Sequence, residues 1–267
     1  MNEYNSVVTQ IMQVSPIMKI IRVKPENWEF PEYKAGQFVA LGLAGTESRC
    51  TDSTEQYPPL EDENKIIKRA YSIASSSSQE YIEFYITLVH SGALTPRLFD
   101  LNIGDKLWLG KKAVGMFTLD KVAPSQNIIL VATGTGVAPF MSMLRSNALT
   151  RTGKMIVVHG AANSWDLGYS SELELLQSMF PNFHYYPTIT LPEKEPSGWS
   201  GDTRFIEKIL DAGIVEEKFG LKPMPENTHV FLCGNPKMIE SVTEVLAKDN
   251  FKVHKKKTPG QIHIEEF

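Results

Sequence analysis

The second half of the chain alternates between apolar runs and amphipathic stretches, and this rhythm constrains the fold more than any other feature. The apolar runs are NIILVAT, KMIVVHG, FHYYPTI and HVFLCG, and a stretch with helical spacing of apolar residues comes after each of them. Fully apolar strands that alternate with amphipathic helices indicate a parallel sheet covered by helices on both faces. We therefore predict an α/β domain in this half.

The first half consists of short β-type runs separated by turns. In YIEFYITL, apolar Ile82, Phe84 and Ile86 alternate with Glu83 and Tyr85, a period of two that is typical of a strand with one buried face. Many such strands with few helices predict an antiparallel barrel or sandwich. A short helix is predicted over Thr95–Asp100, with Thr95 as its cap. The change of rhythm places the domain boundary between residues 124 and 125, which gives domains 1–124 and 125–267.

Composition and charge exclude several classes of protein. The 27 basic and 31 acidic residues give a net charge of −4, so no overall basic field favours nucleic acid. No apolar run approaches the roughly 20 residues that span a bilayer, and the first residues lack a signal-peptide pattern. Cys50 and Cys233 are the only cysteines, which excludes a disulfide framework and an all-cysteine iron–sulfur site. We expect a cytoplasmic protein that has no metal site and binds neither nucleic acid nor membrane.

One long segment, Ala44–Lys65, has no hydrophobic period. It is rich in Thr, Ser, Glu, Asp and Pro, as surface loops are. We predict a solvated insertion, with contact to a partner as the alternative.

The clearest local motif runs from Thr133 to Pro139, between a buried strand and a predicted helix. Its sequence is TGTGVAP, and the glycines let the backbone turn tightly and approach a ligand. Backbone N–H groups at the start of a helix favour a pyrophosphate. An ordinary tight turn between a strand and a helix is the alternative explanation.

Three further motifs carry groups that bind phosphates or flat rings. RAYS, residues 69–72, offers a guanidinium, an aromatic face and a hydroxyl. SGALTPR, residues 91–97, opens the predicted short helix, and CGNP, residues 233–236, follows a buried strand. Taken singly, each has an ordinary explanation: strand composition, helix capping or a buried thiol. At the carboxyl edge of one parallel sheet, however, the Thr133 and Cys233 turns reinforce each other.

In this order and context the motifs resemble the ferredoxin/flavodoxin–NADP reductase family in its bacterial, FAD-dependent form. RAYS resembles the flavin motif, GALTPRL the flavin-phosphate helix start, TGTGVAP the nucleotide turn, CGNP the nicotinamide-side motif and TPGQIHIEEF the C-terminal segment. The resemblance covers nearly the whole chain except Ala44–Lys65. It implies a six-stranded antiparallel flavin barrel, a five-stranded parallel nucleotide domain and FAD between them.

The resemblance also implies roles for individual residues. Arg69 would hold the FAD pyrophosphate, Tyr71 would lie against the isoalloxazine, and Ser72 would lie near N5, the hydride acceptor. Cys233 and Glu265 would flank the nicotinamide and, with Ser72, form the predicted catalytic set. The other predicted FAD contacts are Ala70, Ile86, Ala93, Leu94, Thr95, Thr135 and the ring-covering Phe267. The predicted nucleotide contacts are Gly134, Thr135, Gly136, Val137, Ala161, Ala162, Arg204, Cys233, Gly234, Asn235 and Pro236.

This chain departs from the family where NADP-specific relatives clamp the 2′-phosphate with arginines. The matching positions are Ala161-Ala162, the segment 188–192 and Asp202, and none of them is basic. An acid favours a free 2′-hydroxyl over a phosphate. We predict that NADH is used at least as well as NADPH, although Arg204 and Lys194 are near enough in sequence to substitute.

The resemblance implies a ferredoxin or flavodoxin as the electron acceptor, and the chain itself is expected to be a monomer. Such carriers are acidic, so Lys111, Lys112 and the run 255–257 are candidate docking residues. An NAD(P)H:flavin or quinone oxidoreductase on the same scaffold is a second hypothesis. A non-catalytic electron-transfer subunit is a third, and the absence of a four-cysteine cluster argues against it.

Overall fold

The computed structural model describes residues 4–146, 148–196 and 198–266. These residues form two compact units: one comprises residues 4–118 with Ala138–Ser146, and the other comprises Leu119–Val137 with residues 148–266. The division predicted between residues 124 and 125 stays a prediction. Phe267 lies outside the described residues.

The first unit contains a six-stranded antiparallel sheet, which confirms the predicted class of the first domain. The strand order is β4-β3-β6-β1-β2-β5. Ala74, just beyond β4, donates its N–H to the carbonyl of Glu83 in β5 at 2.8 Å, so the two edge strands approach each other as in a barrel. The strands are β1 (Ser6–Ser15), β2 (Met18–Pro25), β3 (Phe38–Ala44), β4 (Ile66–Ser72), β5 (Ile82–Thr87) and β6 (Lys106–Leu109). The unit also contains α1 (Thr95–Asp100) and α2 (Ala138–Arg145).

The apolar residues of these strands form one core. Ile21, Leu41, Phe84 and Leu107 are fully buried in it, and each such side chain stabilises the fold by about 1.5–3 kcal/mol relative to exposure.

Strand β5 is buried on both faces, so the predicted alternation of buried and exposed residues is wrong there. Glu83 is 0% exposed and accepts from two arginines, Arg22 Nε at 2.6 Å and Arg145 Nη1 at 2.5 Å. Arg145 is the last residue of α2. The outer face of β5 is therefore covered by groups that the local sequence pattern does not reveal.

The second unit contains a five-stranded parallel sheet, as predicted, with the order β11-β10-β7-β8-β9. Its core includes Ile129, Val131, Val158 and Leu232, all fully buried. The strands are β7 (Asn127–Thr133), β8 (Met155–Ala161), β9 (Phe183–Ile189), β10 (Thr228–Gly234) and β11 (Ile262–Glu266). The helices are α3 (Ser170–Met179), α4 (Ile206–Asp211), α5 (Ile214–Phe219) and α6 (Pro236–Lys248). Among the helices that the structure describes, none has the length and hydropathy to span a membrane.

Most residues of the Ala44–Lys65 insertion are exposed, as expected of a solvated insertion, and backbone hydrogen bonds attach it to other segments of the first unit. Cys50 N–H donates to the Pro96 carbonyl at 3.0 Å, and Tyr57 N–H donates to the Ser91 carbonyl at 2.9 Å. These are backbone hydrogen bonds, which do not depend on a hydrophobic pattern, so the sequence pattern does not show the attachment.

Candidate functional site

Strand β4 presents the residues of the RAYS motif at an edge of the sheet. Arg69 and Ala70 are exposed, and Tyr71 is half-buried with its ring edge-on to Phe84 at a centroid distance of 6.4 Å. Burial raises the pKa of the Tyr71 hydroxyl. Residues two apart in a strand share a face, so Arg69 and Tyr71 place a cation and an aromatic ring on the same side of β4.

The start of α1 has backbone donors without acceptors. The N–H groups of Ala93, Leu94 and Thr95 have no hydrogen-bond acceptor among the described residues. Thr95 does not cap the helix as predicted: the N-cap residue is Leu94, and Thr95 Oγ1 accepts the N–H of Val89 at 2.9 Å. Three adjacent N–H groups are the donor set that a phosphate needs.

A positively charged side chain, that of Arg97, lies beside these N–H groups. Arg97, in α1, is buried, and its Nε has no hydrogen-bond partner in the part of the chain that the structure describes. Its other nitrogens donate to the carbonyls of Ala93 and Gly45 and to Gln56 Oε1. Burial, followed by the charge of Arg49, lowers the pKa of Arg97. The donor set therefore fits the phosphates of a flavin nucleotide such as FAD.

Two other predicted flavin contacts lie on the edge strands. Ser72 ends β4, opposite Phe38 of β3, and Ile86 lies in β5, opposite Lys19 of β2. The side chain of Ile86 is buried, so only its backbone is suited to meet a ligand.

In the second unit the two predicted nucleotide turns lie against each other. A Cβ on Gly136 would lie 2.2 Å from the carbonyl oxygen of Cys233, and a Cβ on Gly234 would lie 2.2 Å from Thr133 Oγ1. Thr133 Oγ1 also accepts the N–H of Asn235 at 2.8 Å. Gly234 has a φ of +134°. Only glycine permits this approach, so the two turns form one backbone-lined surface at the carboxyl ends of β7 and β10.

His159 supports this surface, a role that was not predicted from the sequence. Its Nε2 lies 2.9 Å from the carbonyl of Gly134, and burial lowers its pKa to about 4. The ring is therefore neutral at pH 7, and Nε2 donates to that carbonyl. In the sequence, the only hint of this role is a histidine near the end of an otherwise apolar predicted strand, KMIVVHG.

Cys233 and Glu265 face each other on neighbouring strands, in register between β10 and β11. Cys233 is fully buried, and burial, followed by the charge of Glu265, raises the pKa of its thiol. The thiol is therefore protonated at neutral pH, and its role is to fill space in the site rather than to act as a nucleophilic thiolate.

A second polar cluster lies beyond β9. Arg204 Nε is 3.0 Å from Asp202 Oδ1 and 3.1 Å from Oδ2, and Tyr186 donates its hydroxyl to Oδ2 at 2.7 Å. The side chain of Asp202 is 6% exposed and that of Arg204 42%. The bonds to Arg204 hold the pKa of Asp202 well below its usual range. A permanent carboxylate therefore neutralises the nearest guanidinium.

Ala161 and Ala162 lie beside this cluster without any basic group of their own. Their carbonyls accept the N–H groups of Thr190 at 3.1 Å and Leu191 at 2.9 Å. Glu195, also not predicted from the sequence, accepts from Ser164 N at 2.7 Å and Ser164 Oγ at 2.6 Å. A second acid thus lies close to the predicted ribose site.

Known proteins support the family that the motifs indicate. Residues 130–244 match a family model described as an oxidoreductase NAD-binding domain. The flavodoxin/ferredoxin–NADP reductase of Buchnera aphidicola (Baizongia pistaciae) is 31% identical over 243 residues, 90% of each chain. The chain belongs to the flavodoxin/ferredoxin–NADP reductase family. The ferredoxin–NADP reductase of Pseudomonas aeruginosa is 30% identical over 247 residues, which cover 87% of this chain and 86% of that one.

A solved structure agrees with the fold of this flavodoxin/ferredoxin–NADP reductase family member. The Neisseria gonorrhoeae ferredoxin NADP+ reductase, a structure with bound FAD and NADP, matches with a TM-score of 0.82 at 24% identity and covers 98% of this chain and 97% of that one. The predicted family, the two-part fold and the assignment as an oxidoreductase are confirmed.

Proposed function

We propose that this reductase holds FAD on the first unit and NADH on the second, and that it passes electrons to a ferredoxin or a flavodoxin. The observation that carries the proposal is the set of N–H groups at Ala93–Thr95, which have no acceptor among the residues that the structure describes and lie beside the partly unsatisfied guanidinium of Arg97. When bound, FAD accepts hydride from the nicotinamide and releases single electrons.

The residues of the first unit would bind and orient the cofactor. Arg69 is exposed on β4 and is suited to a bidentate bond with the pyrophosphate. Tyr71 offers a ring whose hydroxyl stays protonated, because burial raises its pKa. Ser72, at the end of the same strand, carries the hydroxyl assigned to N5.

The residues of the second unit would position the nicotinamide. The contact between the Gly136 and Gly234 turns leaves backbone rather than side chains to face the nucleotide phosphates, and His159 holds the Gly134 carbonyl in place. Cys233 and Glu265, in register on β10 and β11, would define the pocket for the ring. Protein groups thus supply position rather than acid–base chemistry.

The acid cluster supports NADH rather than NADPH as the preferred donor. Asp202 keeps Arg204 in a nearly neutral pair, and Ala161 and Ala162 add no charge. A 2′-phosphate would meet the Asp202 carboxylate beside an Arg204 that is already paired, whereas a 2′-hydroxyl donates to carboxylates readily.

We propose a ferredoxin or flavodoxin as the electron acceptor because the relatives are flavodoxin/ferredoxin–NADP reductases. Exposed basic residues are the candidates for docking it. Lys111 and Lys112 are exposed in the first unit, and residues 255–257 are exposed in the second. Acidic carriers associate faster with such residues at low salt. We place the protein in the cytoplasm as a monomer.

The test compares electron acceptors with a fixed donor. With NADH in excess, the FAD-loaded protein should reduce ferredoxin or flavodoxin with a higher kcat/KM than free flavin or quinone, and added salt should slow the reaction. Faster reduction of free flavin than of either carrier would favour the flavin/quinone oxidoreductase instead.

A further inference from the structure

The Ala44–Lys65 insertion runs along residues 90–97, the segment that contains the phosphate-donor groups of Ala93–Thr95. The N–H of Thr54 donates to the His90 carbonyl at 3.0 Å, that of Tyr57 to Ser91 at 2.9 Å, and that of Cys50 to Pro96 at 3.0 Å. Three backbone bonds therefore join the two segments at both ends of the donor set.

The side chain of Arg49 joins the same two segments. Its Nη1 donates to the Gly92 carbonyl at 2.8 Å, and its Nη2 donates to the His90 carbonyl at 3.1 Å and the Thr54 carbonyl at 2.7 Å. A planar guanidinium with several donors fits such a set of fixed carbonyls, whereas an ammonium group cannot span it.

A second arginine shares this network from the opposite side. Gln56 Oε1 accepts from Arg49 at 3.2 Å and from Arg97 at 2.9 Å. Arg97 also donates to the Ala93 carbonyl at 2.6 Å and to the carbonyl of Gly45 in the insertion. The carbonyls of Gly92 and Ala93 share peptide groups with the N–H donors of Ala93 and Leu94, and each of these carbonyls is held by one arginine.

Apolar contacts hold the insertion against the barrel. Cys50 and Leu60 pack on the core of the first unit. A Cβ on Gly45 would lie 2.5 Å from Leu60 Cδ1 and 2.8 Å from Glu63 Cα. The insertion therefore packs on the barrel at Cys50 and Leu60, and its two ends approach each other at Gly45 and Glu63.

The two guanidinium groups add positive charge where an anion would bind. All their acceptors are neutral carbonyl or amide oxygens, although the charges of Glu47 and Glu63 offset part of the effect on Arg97. Two neighbouring cations that form no ion pair with the described residues favour an anionic ligand.

We propose that the insertion is a strap that holds residues 90–97 in the shape required by the FAD phosphates, and that Arg49 is the residue that positions it. This inference rests on the proposed function, because it takes Ala93–Thr95 as the phosphate-binding groups. Arg49 acts through the carbonyls of His90 and Gly92 and does not itself contact the flavin.

The test measures FAD affinity and local amide exchange in the full-length protein. Wild type, Arg49→Ala, Arg49→Lys and the control Arg151→Ala are stripped of flavin and titrated with FAD. Arg151 is a matched control because it also donates to backbone carbonyls, those of Val122 and Ala123, but in the other unit. We expect Arg49→Ala to raise the FAD Kd roughly tenfold or more, Arg49→Lys to restore little, and Arg151→Ala to leave it unchanged.

Hydrogen exchange separates positioning from general destabilisation. In Arg49→Ala the amides of residues 90–97 should exchange faster while those of β1 and β2 keep their protection. In wild type, FAD should slow exchange in residues 49–57 as well as in 90–97, because the coupling is reciprocal. The wild-type experiment decides the matter even where Arg49→Ala does not fold.

The outcomes distinguish the strap from the flavin assignment. Wild type that binds FAD, with an Arg49→Ala Kd within about twofold of it and no added protection of residues 49–57, overturns the strap and leaves the proposed function standing. Wild type that binds no FAD overturns both.

Discussion

Arg204 donates to both carboxylate oxygens of Asp202: its Nε lies 3.0 Å from Oδ1 and 3.1 Å from Oδ2. Tyr186 adds a third bond to the same carboxylate at 2.7 Å. Asp202 forms an isolated parallel bridge with Thr188 of β9. The guanidinium of Arg204 is therefore paired with an acid and is not free to bind a phosphate.

Neutralising Asp202 should shift the nucleotide preference toward NADPH. In Asp202→Asn the amide keeps an acceptor for the Arg204 N–H, but the charge is lost and the guanidinium is released toward a phosphate. We expect the ratio of kcat/KM for NADPH over NADH to rise roughly tenfold to a hundredfold. Asp211→Asn, which breaks an exposed pair with Lys248, is the control. An unchanged ratio of kcat/KM in Asp202→Asn would show that Asp202 does not determine the choice between NADH and NADPH.

Removing the charge of Glu83 should destabilise the first unit strongly. Glu83→Gln leaves Arg22 and Arg145 facing a neutral amide in a buried position, and breaking a buried pair costs about 3–5 kcal/mol. Urea unfolding followed by circular dichroism measures the loss. Glu80→Gln, which breaks the exposed Lys24 pair, should leave the midpoint in place; equal effects of the two substitutions would contradict the argument.

The second unit should lose stability as the pH falls from about 6.5 toward 3. His263 stacks on Phe231 with a centroid distance of 4.2 Å and lies 3.0 Å from His229 Nδ1. Burial, followed by the charges of His229, His254 and Lys121, lowers its pKa to about 3. Between these pH values His263 is protonated in the unfolded chain but neutral in the folded chain, so a fall in pH favours unfolding.

His263→Phe tests that origin of the pH dependence. Phenylalanine retains a ring against Phe231 and cannot titrate, so the slope of unfolding free energy against pH should fall by up to about 1.4 kcal/mol per pH unit. His159, whose pKa is also lowered by burial, to about 4, keeps part of the slope. A variant with the wild-type slope would show that His263 is not the group responsible.

The thiol of Cys233 should stay protonated throughout catalysis and take no part in the chemistry. Because burial raises the pKa of its thiol, the rate of hydride transfer should show no break near the ordinary thiol pKa of about 8.5, and Cys233→Ser should have the same pH profile. Half-buried Cys50 should react with iodoacetamide before Cys233 does. A break that is present in wild type and absent in Cys233→Ser would assign the thiolate a role.

The sequence predicted the features that depend on local pattern. The apolar runs that became β7, β8, β9 and β10, the helix Thr95–Asp100 and the two-part organisation all follow from periodicity and turn residues. Strand β11 was not recognised from its residues, since Ile262 to Glu266 is short and polar at one end. Its partner β10 stabilises it across the sheet.

The features that the sequence did not predict depend on long-range polar contacts. Nothing near Glu83 in sequence indicates that Arg22 and Arg145 will bury it, and nothing in the segment 44–65 indicates that Arg49 will bind Gly92. His159 likewise acquires its role from Gly134, 25 residues earlier. Such pairings become visible only when the fold brings their members together.

The central claim is that this chain reduces a bound flavin with NADH. Anaerobic stopped-flow absorbance of the FAD-loaded protein, mixed in turn with NADH and NADPH, tests it most directly. The account predicts that the flavin absorbance bleaches rapidly with NADH and no faster with NADPH. A protein that binds no FAD, or whose flavin band stays unchanged with both nucleotides, would contradict it.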